Sequence, residues 1–279
     1  MNRPKRRSIL AVGVPEAGKT VLHKRITDIV ILQPGYDGVL VFDRNGEWST
    51  GLEPHIGDLE AQLDILEEDE ARVERAVSMC GRAGLETRIH DGPIVTSVAE
   101  FEEYTRLLAL EHHAATETVI PRRTIVRCGR DVAAYGDFLR VSCDQGHMFV
   151  VFSESPDWFT SYERDWPFDN IPGRPDVKLS QIYSQGRSHI PNKRGEPCPM
   201  HILTDSQDFM MVHWKVRKFS RTVLVGRVEG GDSYAFIRKE YGDGTKELVR
   251  RVRALELHEW IAVRGTMPEL APYRGGGRR

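Results

Sequence analysis

Residues 8–20, SILAVGVPEAGKT, decide the fold. Ser8 to Val14 is a short apolar run that reads as a buried strand, and Lys19 to Val30 has helical spacing. Between them, Gly13, Val14, Pro15, Glu16, Ala17, Gly18, Lys19 and Thr20 fit G-x-x-x-x-G-K-[ST], a loop that cradles phosphate. Each position has a physical reason. The glycines permit a turn sharp enough to point successive backbone N–H groups inward, and Gly18 leaves room where the helix starts. The helix opening at Lys19 adds its positive end to the same anion. Lys19 is expected to reach the β and γ phosphates of a nucleoside triphosphate, and the Thr20 hydroxyl to ligate Mg²⁺. A strand before and a helix after distinguish this match from a merely structural glycine turn.

Outward from the loop, strand and helix signals alternate. Gly38 to Asp43, GVLVFD, is a continuous apolar strand, followed by a turn at Asn45 and Gly46. The pattern predicts a charged helix around Leu59 to Gly81, a strand over Leu85 to His90 and a helix over Val98 to Ala114. A short strand over Thr124 to Cys128 and a helix over Asp131 to Val141 follow. Met148 to Phe152 is the strongest buried-strand signal. Ser155 to Pro175 holds Pro156, Pro167, Pro172 and Pro175 and is expected to wander over the surface. Helices are expected over Val177 to Gln185, Val212 to Phe219, Asp232 to Tyr241 and Thr245 to Val252, with Asp232 as a cap. Strands are expected over His201 to Thr204, Thr222 to Val228 and Glu259 to Arg264. This alternation argues for a three-layer α/β unit with a mostly parallel sheet. One domain over residues 1–265 and a flexible tail over 266–279 fit the pattern.

The chain has 279 residues, with 39 Lys and Arg against 41 Asp and Glu, a formal charge of -2. That balance neither supports nor excludes nucleic acid, because positive charge can be confined to one face. No apolar run approaches the roughly 20 residues needed to cross a bilayer. The basic start leads into the glycine loop rather than into a signal-peptide core. Cys80, Cys128, Cys143 and Cys198 are too scattered for a paired metal motif and read as reduced thiols. A cytoplasmic protein is expected.

Four further stretches fall in a telling order: VLVFDRNGEW (39–48), MFVVFSE (148–154), QGRSH (185–189) and ILTDSQ (202–207). With the phosphate loop, they resemble the HerA/FtsK-type ATPases, P-loop motors that translocate double-stranded DNA. The likeness covers nearly the whole chain and points to the small single-domain members that viruses and phages encode for genome packaging. It implies a three-layer P-loop NTPase fold, RecA-like and of the additional-strand type.

The resemblance also implies roles. Asp43 ends a strand beside the loop, where it can steer Mg²⁺, brace neighbouring loops or cap a turn. Glu154 matches the carboxylate that activates the attacking water. Ser153 stands where the family's Walker B strand has Asp; its hydroxyl can orient water on Mg²⁺ but carries no charge, unless Asp43 or Asp157 compensates. Gln207 matches the polar sensor of the γ-phosphate or lytic water, although Asp208 and Phe209 follow in place of the usual Arg-Pro. The intervening Pro191 to Pro199 is longer and richer in proline than expected.

Ring ATPases complete a site with an arginine from the neighbouring subunit. Arg187 is the first candidate here, with Arg217, Arg221 and Arg227 behind it. Lys215, Lys218 and Arg221 form a basic face that either follows the DNA backbone or is simply solvated. The resemblance implies ATP and Mg²⁺, a homo-oligomeric ring, double-stranded DNA, and capsid or portal-vertex proteins as partners, in the host cytoplasm or on the virion. The alternatives are a nucleotide-binding morphogenesis protein with little hydrolysis and a filamentous-phage assembly ATPase of the zonula-occludens-toxin type, whose usual membrane anchor has no counterpart here.

Overall fold

The computed structural model describes residues 7–31, 38–46, 48, 94–95, 97–99, 123–126, 128, 132–145, 148–159, 170–178, 195, 200–241 and 246–265. The apolar run before the glycine loop forms β1 (Ser8–Val12), and α1 (Lys19–Ile31) leaves directly from the loop. The chain continues through β2 (Gly38–Phe42), β3 (Ile94–Val95), β4 (Arg123–Val126), α2 (Val132–Gln145), β5 (Met148–Phe152) and α3 (Ser155–Trp158). A small hairpin of β6 (Asn170–Ile171) and β7 (Arg174–Lys178) stands apart from the main sheet. Then come β8 (His201–Ser206), a 3₁₀ turn at Phe209–Met211, α4 (Trp214–Phe219), β9 (Thr222–Val225), α5 (Gly231–Glu240), α6 (Glu247–Arg253) and β10 (Ile261–Arg264).

Eight strands form one sheet in the order β10-β9-β1-β8-β5-β2-β4-β3. All neighbours run parallel except β10, which is antiparallel to β9 at the edge. β8 lies between the loop strand and β5, pairing Ala11 with Asp205 on one side and Phe152 with Thr204 on the other.

Side chains alternate across a strand, so each strand serves two layers. Leu10, Val12, Phe42, Val150, Phe152 and Ile202 meet α2, α4, α5 and α6 through Phe138, Val216, Ile237 and Val252. Ile9, Ala11, Val39, Val41, Val151 and Leu203 meet Leu22, Ile26 and Val30 of α1. Each such buried aliphatic chain contributes about 1.5–3 kcal/mol. One consequence positions the site. Continuing the alternation two residues past Val41, Val151 and Leu203 brings Asp43, Ser153 and Asp205 to the α1 face, at the carboxyl ends of adjacent strands.

Several elements differ from expectation. The stretch from Ser155 is not all surface wandering: Trp158 and Phe159 are buried in an aromatic cluster with Phe42, Tyr135 and Phe152, which fixes α3 as a helical turn. Gly173, with φ 72, makes the β6–β7 turn, so Val177 and Lys178 are strand rather than the start of a helix. The helix expected from Val212 begins at Trp214, because the Asp208 side chain first caps the 3₁₀ turn and the His213 ring caps α4. Asp232 lies inside the first turn of α5, whose cap position is Gly230; its charge faces the positive helix end there. The ladder of β9 stops at Val225, short of Val228, and β10 begins at Ile261. The expectations for 59–81 and 85–90, nearly all of 98–114, and 179–185 fall outside the described residues, as does the tail at 266–279.

Candidate functional site

The loop from Gly13 is held by backbone bonds to the end of β8, to the chain just past β9 and within itself. Gly13 N–H donates to Ser206 O at 3.0 Å, Val14 N–H to Arg227 O at 2.9 Å, and Ala17 N–H to Val14 O at 3.1 Å. Glu16 and Gly18 have φ 64 and 81, the left-handed backbone that a tight concave turn demands. Space is short as well. A Cβ on Gly18 would enter the His258 ring, and one on Gly13 would lie 3.1 Å from both the Trp260 ring and Ala17 Cβ. Pro15 and Glu16 are exposed at the crest, whereas Ala17 is buried beneath it. Lys19 curls back over this turn, its Nζ donating to Gly13 O at 3.0 Å and Val14 O at 3.2 Å. Thr20 follows in the first turn of α1, partly exposed.

Opposite the loop, Glu154 follows β5 with φ 60. A left-handed non-glycine residue needs support from its surroundings. Its N–H donates to Asp205 Oδ1 at 2.8 Å, its carbonyl accepts from Asp157 N–H at 2.9 Å, and the preceding Ser153 carbonyl accepts from Trp158 Nε1 at 3.0 Å. The loop and Glu154 are thus joined through the end of β8.

Ser153 and Asp43 share one partner. Trp48 Nε1 donates to Ser153 Oγ at 2.9 Å, and Trp48 N–H donates to Asp43 Oδ2 at 3.1 Å. Asp43 is fully buried, and this bond braces the turn after β2. Asp157 forms an ion pair with Arg44 at 3.1 Å.

Gln207 lies in the bend after β8 with its residue exposed. Asp208, where the sequence resemblance leads to an expectation of Arg, is spent on structure: its Oδ1 accepts from Met210 N–H at 2.8 Å and from Ser233 Oγ at 3.0 Å. Arg187 lies outside the described residues. Arg217 stacks 4.7 Å from the Phe236 ring, and burial lowers its pKa. Arg227 is exposed beside the loop, 3.8 Å from Glu229. A cavity of about 630 Å³ opens there against Arg227, Val228, Tyr234, Arg253 and Leu255. Lys215 and Lys218 each place Nζ 5.8 Å from the ring centre of Trp214, which is 48% exposed. Arg221 is exposed just beyond α4.

Two residues escaped the sequence reading. Asp205 is a carboxylate only 4% exposed, inside a strand whose other members are His201, Ile202, Leu203, Thr204 and Ser206. His23 on α1 is completely buried, with Nδ1 3.5 Å from Asp205 Oδ2. Burial, with the nearby Lys19 charge, pushes the His23 pKa down to about 3, so the contact is polar rather than ionic. An acid in the middle of ILTDSQ was the available signal, since carboxylates are rarely fully buried without a task.

Among the described residues no helix is long and apolar enough to cross a membrane. No family model and no curated protein matches the sequence. Solved structures do match in three dimensions. The chain superposes on the genome packaging NTPase B204 from Sulfolobus turreted icosahedral virus 2, in complex with AMPPCP, with a TM-score of 0.51 and 12% identity, covering 94% of this chain and 93% of that chain. The fold is P-loop NTPase-like. The same NTPase in complex with ATP-gammaS gives a TM-score of 0.51 at 12% identity over 93% and 91% of the two chains. Its sulfate complex gives 0.51 at 12% over 94% and 92%.

Proposed function

We propose that this chain binds Mg-ATP on the loop at 13–20 and hydrolyses it as a subunit of a homo-oligomeric ring that drives double-stranded DNA, packaging a viral genome into its capsid. The observation that carries this reading is the arrangement of the loop and Glu154 at the carboxyl ends of two central strands, joined through β8. The interposed β8 supports the additional-strand, RecA-like form of the fold, and residues 1–265 are assigned to the ATPase domain. The solved structures it resembles belong to a genome packaging NTPase held with AMPPCP and ATP-gammaS.

The residues fit a magnesium nucleotide. The N–H groups of Gly13, Val14 and Ala17 are engaged by protein carbonyls, so the donors toward an anion are those from Gly18 into the start of α1, with the positive end of that helix. Lys19 already lies over the turn and exchanges its two carbonyl contacts for the β and γ phosphates. Thr20 offers a hydroxyl oxygen to the cation, and oxygen donors suit a hard dication. When bound, Mg²⁺ would neutralise the negative charge that develops during phosphoryl transfer. Glu154 orients the attacking water and accepts its proton. Gln207 contacts the γ-phosphate side, and an arginine of the adjacent subunit, Arg187 first, completes the site. Lys215, Lys218 and Arg221 follow the DNA backbone without reading sequence.

A second reading, a nucleotide-binding morphogenesis protein with little turnover, is favoured by Ser153, whose neutral hydroxyl is engaged by Trp48. Phosphate release measured with and without duplex DNA separates the two. Stimulation by DNA that disappears in K19A and E154Q supports the motor; nucleotide binding with no release supports the second reading.

A further inference from the structure

We infer that Asp205 supplies the anionic oxygen facing the Mg²⁺ of a bound nucleotide, in the place that Ser153 leaves uncharged. This inference rests on the nucleotide reading above. P-loop NTPases hold the cation with the loop Ser or Thr and a strand-end carboxylate. Ser153 offers only a hydroxyl, which accepts from Trp48 Nε1 at 2.9 Å.

Three carboxylates stand near enough in the fold to compensate, and geometry separates them. Asp157 lies on α3 and is paired with Arg44 at 3.1 Å. Asp43 lies on β2, which is separated from the loop strand by both β5 and β8, and its Oδ2 holds the Trp48 backbone. Asp205 lies on β8, which pairs directly with the loop strand. It points to the α1 face, where Oδ2 comes 3.5 Å from His23. Thr20 is three residues before His23 and so shares that helix face, one turn nearer the loop. The Asp205 carboxylate therefore stands against α1 at His23, one turn from Thr20, while its other oxygen holds Glu154 N–H at 2.8 Å. A carboxylate has about four lone-pair sites, so holding Glu154 is compatible with facing a hydrated cation. One side chain then fixes both the metal and the backbone of the water-activating residue.

Asp205→Asn isolates the charge. The amide oxygen still accepts from Glu154 N–H, so a merely structural role survives the change. The experiment measures the affinity of the full chain for a fluorescent ATP analogue in Mg²⁺ and in EDTA. Wild type is expected to bind more tightly in Mg²⁺. Asp205→Asn is expected to lose about ten- to a hundredfold of the Mg²⁺ affinity, with its EDTA affinity and melting temperature close to wild type. The double variant S153D/D205S, which moves the carboxylate one strand over, is expected to recover the Mg²⁺ increment. An Asp205→Asn variant that keeps the increment, or an increment lost in S153A and kept in Asp205→Asn, overturns the assignment. Should Asp205→Asn fail to fold, a folded S153D/D205S protein with no increment overturns it equally. A wild type that binds nucleotide in neither condition overturns the nucleotide reading itself.

Discussion

The indole Nε1 of Trp48 donates to Ser153 Oγ across 2.9 Å of fully buried space, tying the turn after β2 to the end of β5. Trp48→Phe keeps an aromatic ring and removes this donor. The Ser153 hydroxyl loses a buried partner, which costs about 1–3 kcal/mol. Urea unfolding should show that loss as a lower midpoint with an unchanged slope.

Glu154 and Lys19 should separate binding from chemistry. Glu154→Gln preserves shape and is expected to bind nucleotide like wild type while phosphate release falls by about 10²–10⁴-fold. Lys19→Ala is expected to lose nucleotide binding. Parallel titrations and single-turnover release check both, and equal nucleotide affinity of Lys19→Ala and wild type would remove the loop from the site.

Gly18 cannot accept a side chain. Its φ of 81 and the His258 ring against it make Gly18→Ala strained on two counts. A left-handed non-glycine residue costs about 1–3 kcal/mol. Thermal melts should show this destabilisation even without nucleotide.

His23 makes stability depend on acid. Its folded pKa, about 3, lies below the ordinary value of 6.5 because burial disfavours the imidazolium. Between those values the unfolded chain binds the proton and the folded chain does not. Stability from this group is therefore complete above about pH 6.5 and is lost as pH falls towards 3, by about 1.4 kcal/mol per pH unit. His23→Leu should flatten that limb relative to wild type in pH-dependent urea melts.

Charge reversal at Lys215 and Lys218 tests the DNA face. Each phosphate contact contributes about 0.9 to the slope of log affinity against log salt. The double Glu variant should bind duplex DNA more weakly and with a shallower slope, measured by anisotropy. Unchanged binding assigns both lysines to a solvated face packed on Trp214.

Most of the central sheet was legible because its strands are buried on both faces, and such strands are continuous apolar runs. GVLVF and MFVVF announce themselves without any partner. The loop was legible for a different reason: its glycines and lysine obey local geometry. Asp205 was not, because its meaning depends on register, on which residue of β8 stands beside Ala11 and beneath α1. Likewise α3 is set by the burial of Trp158 and Phe159 against Phe42 and Phe152, contacts that no run of prolines discloses. Ile94 and Val95 make a strand too short to carry a pattern of its own.

The crowding of His258 and Trp260 against Gly18 and Gly13 gives the cradle a delayed birth. Its walls come from positions some 240 residues downstream in the sequence, so the nascent loop emerges with its consensus complete and its shape unfinished. Affinity for phosphate should ripen only when the segment bearing His258 and Trp260 docks, making ligand capture a reporter of that docking.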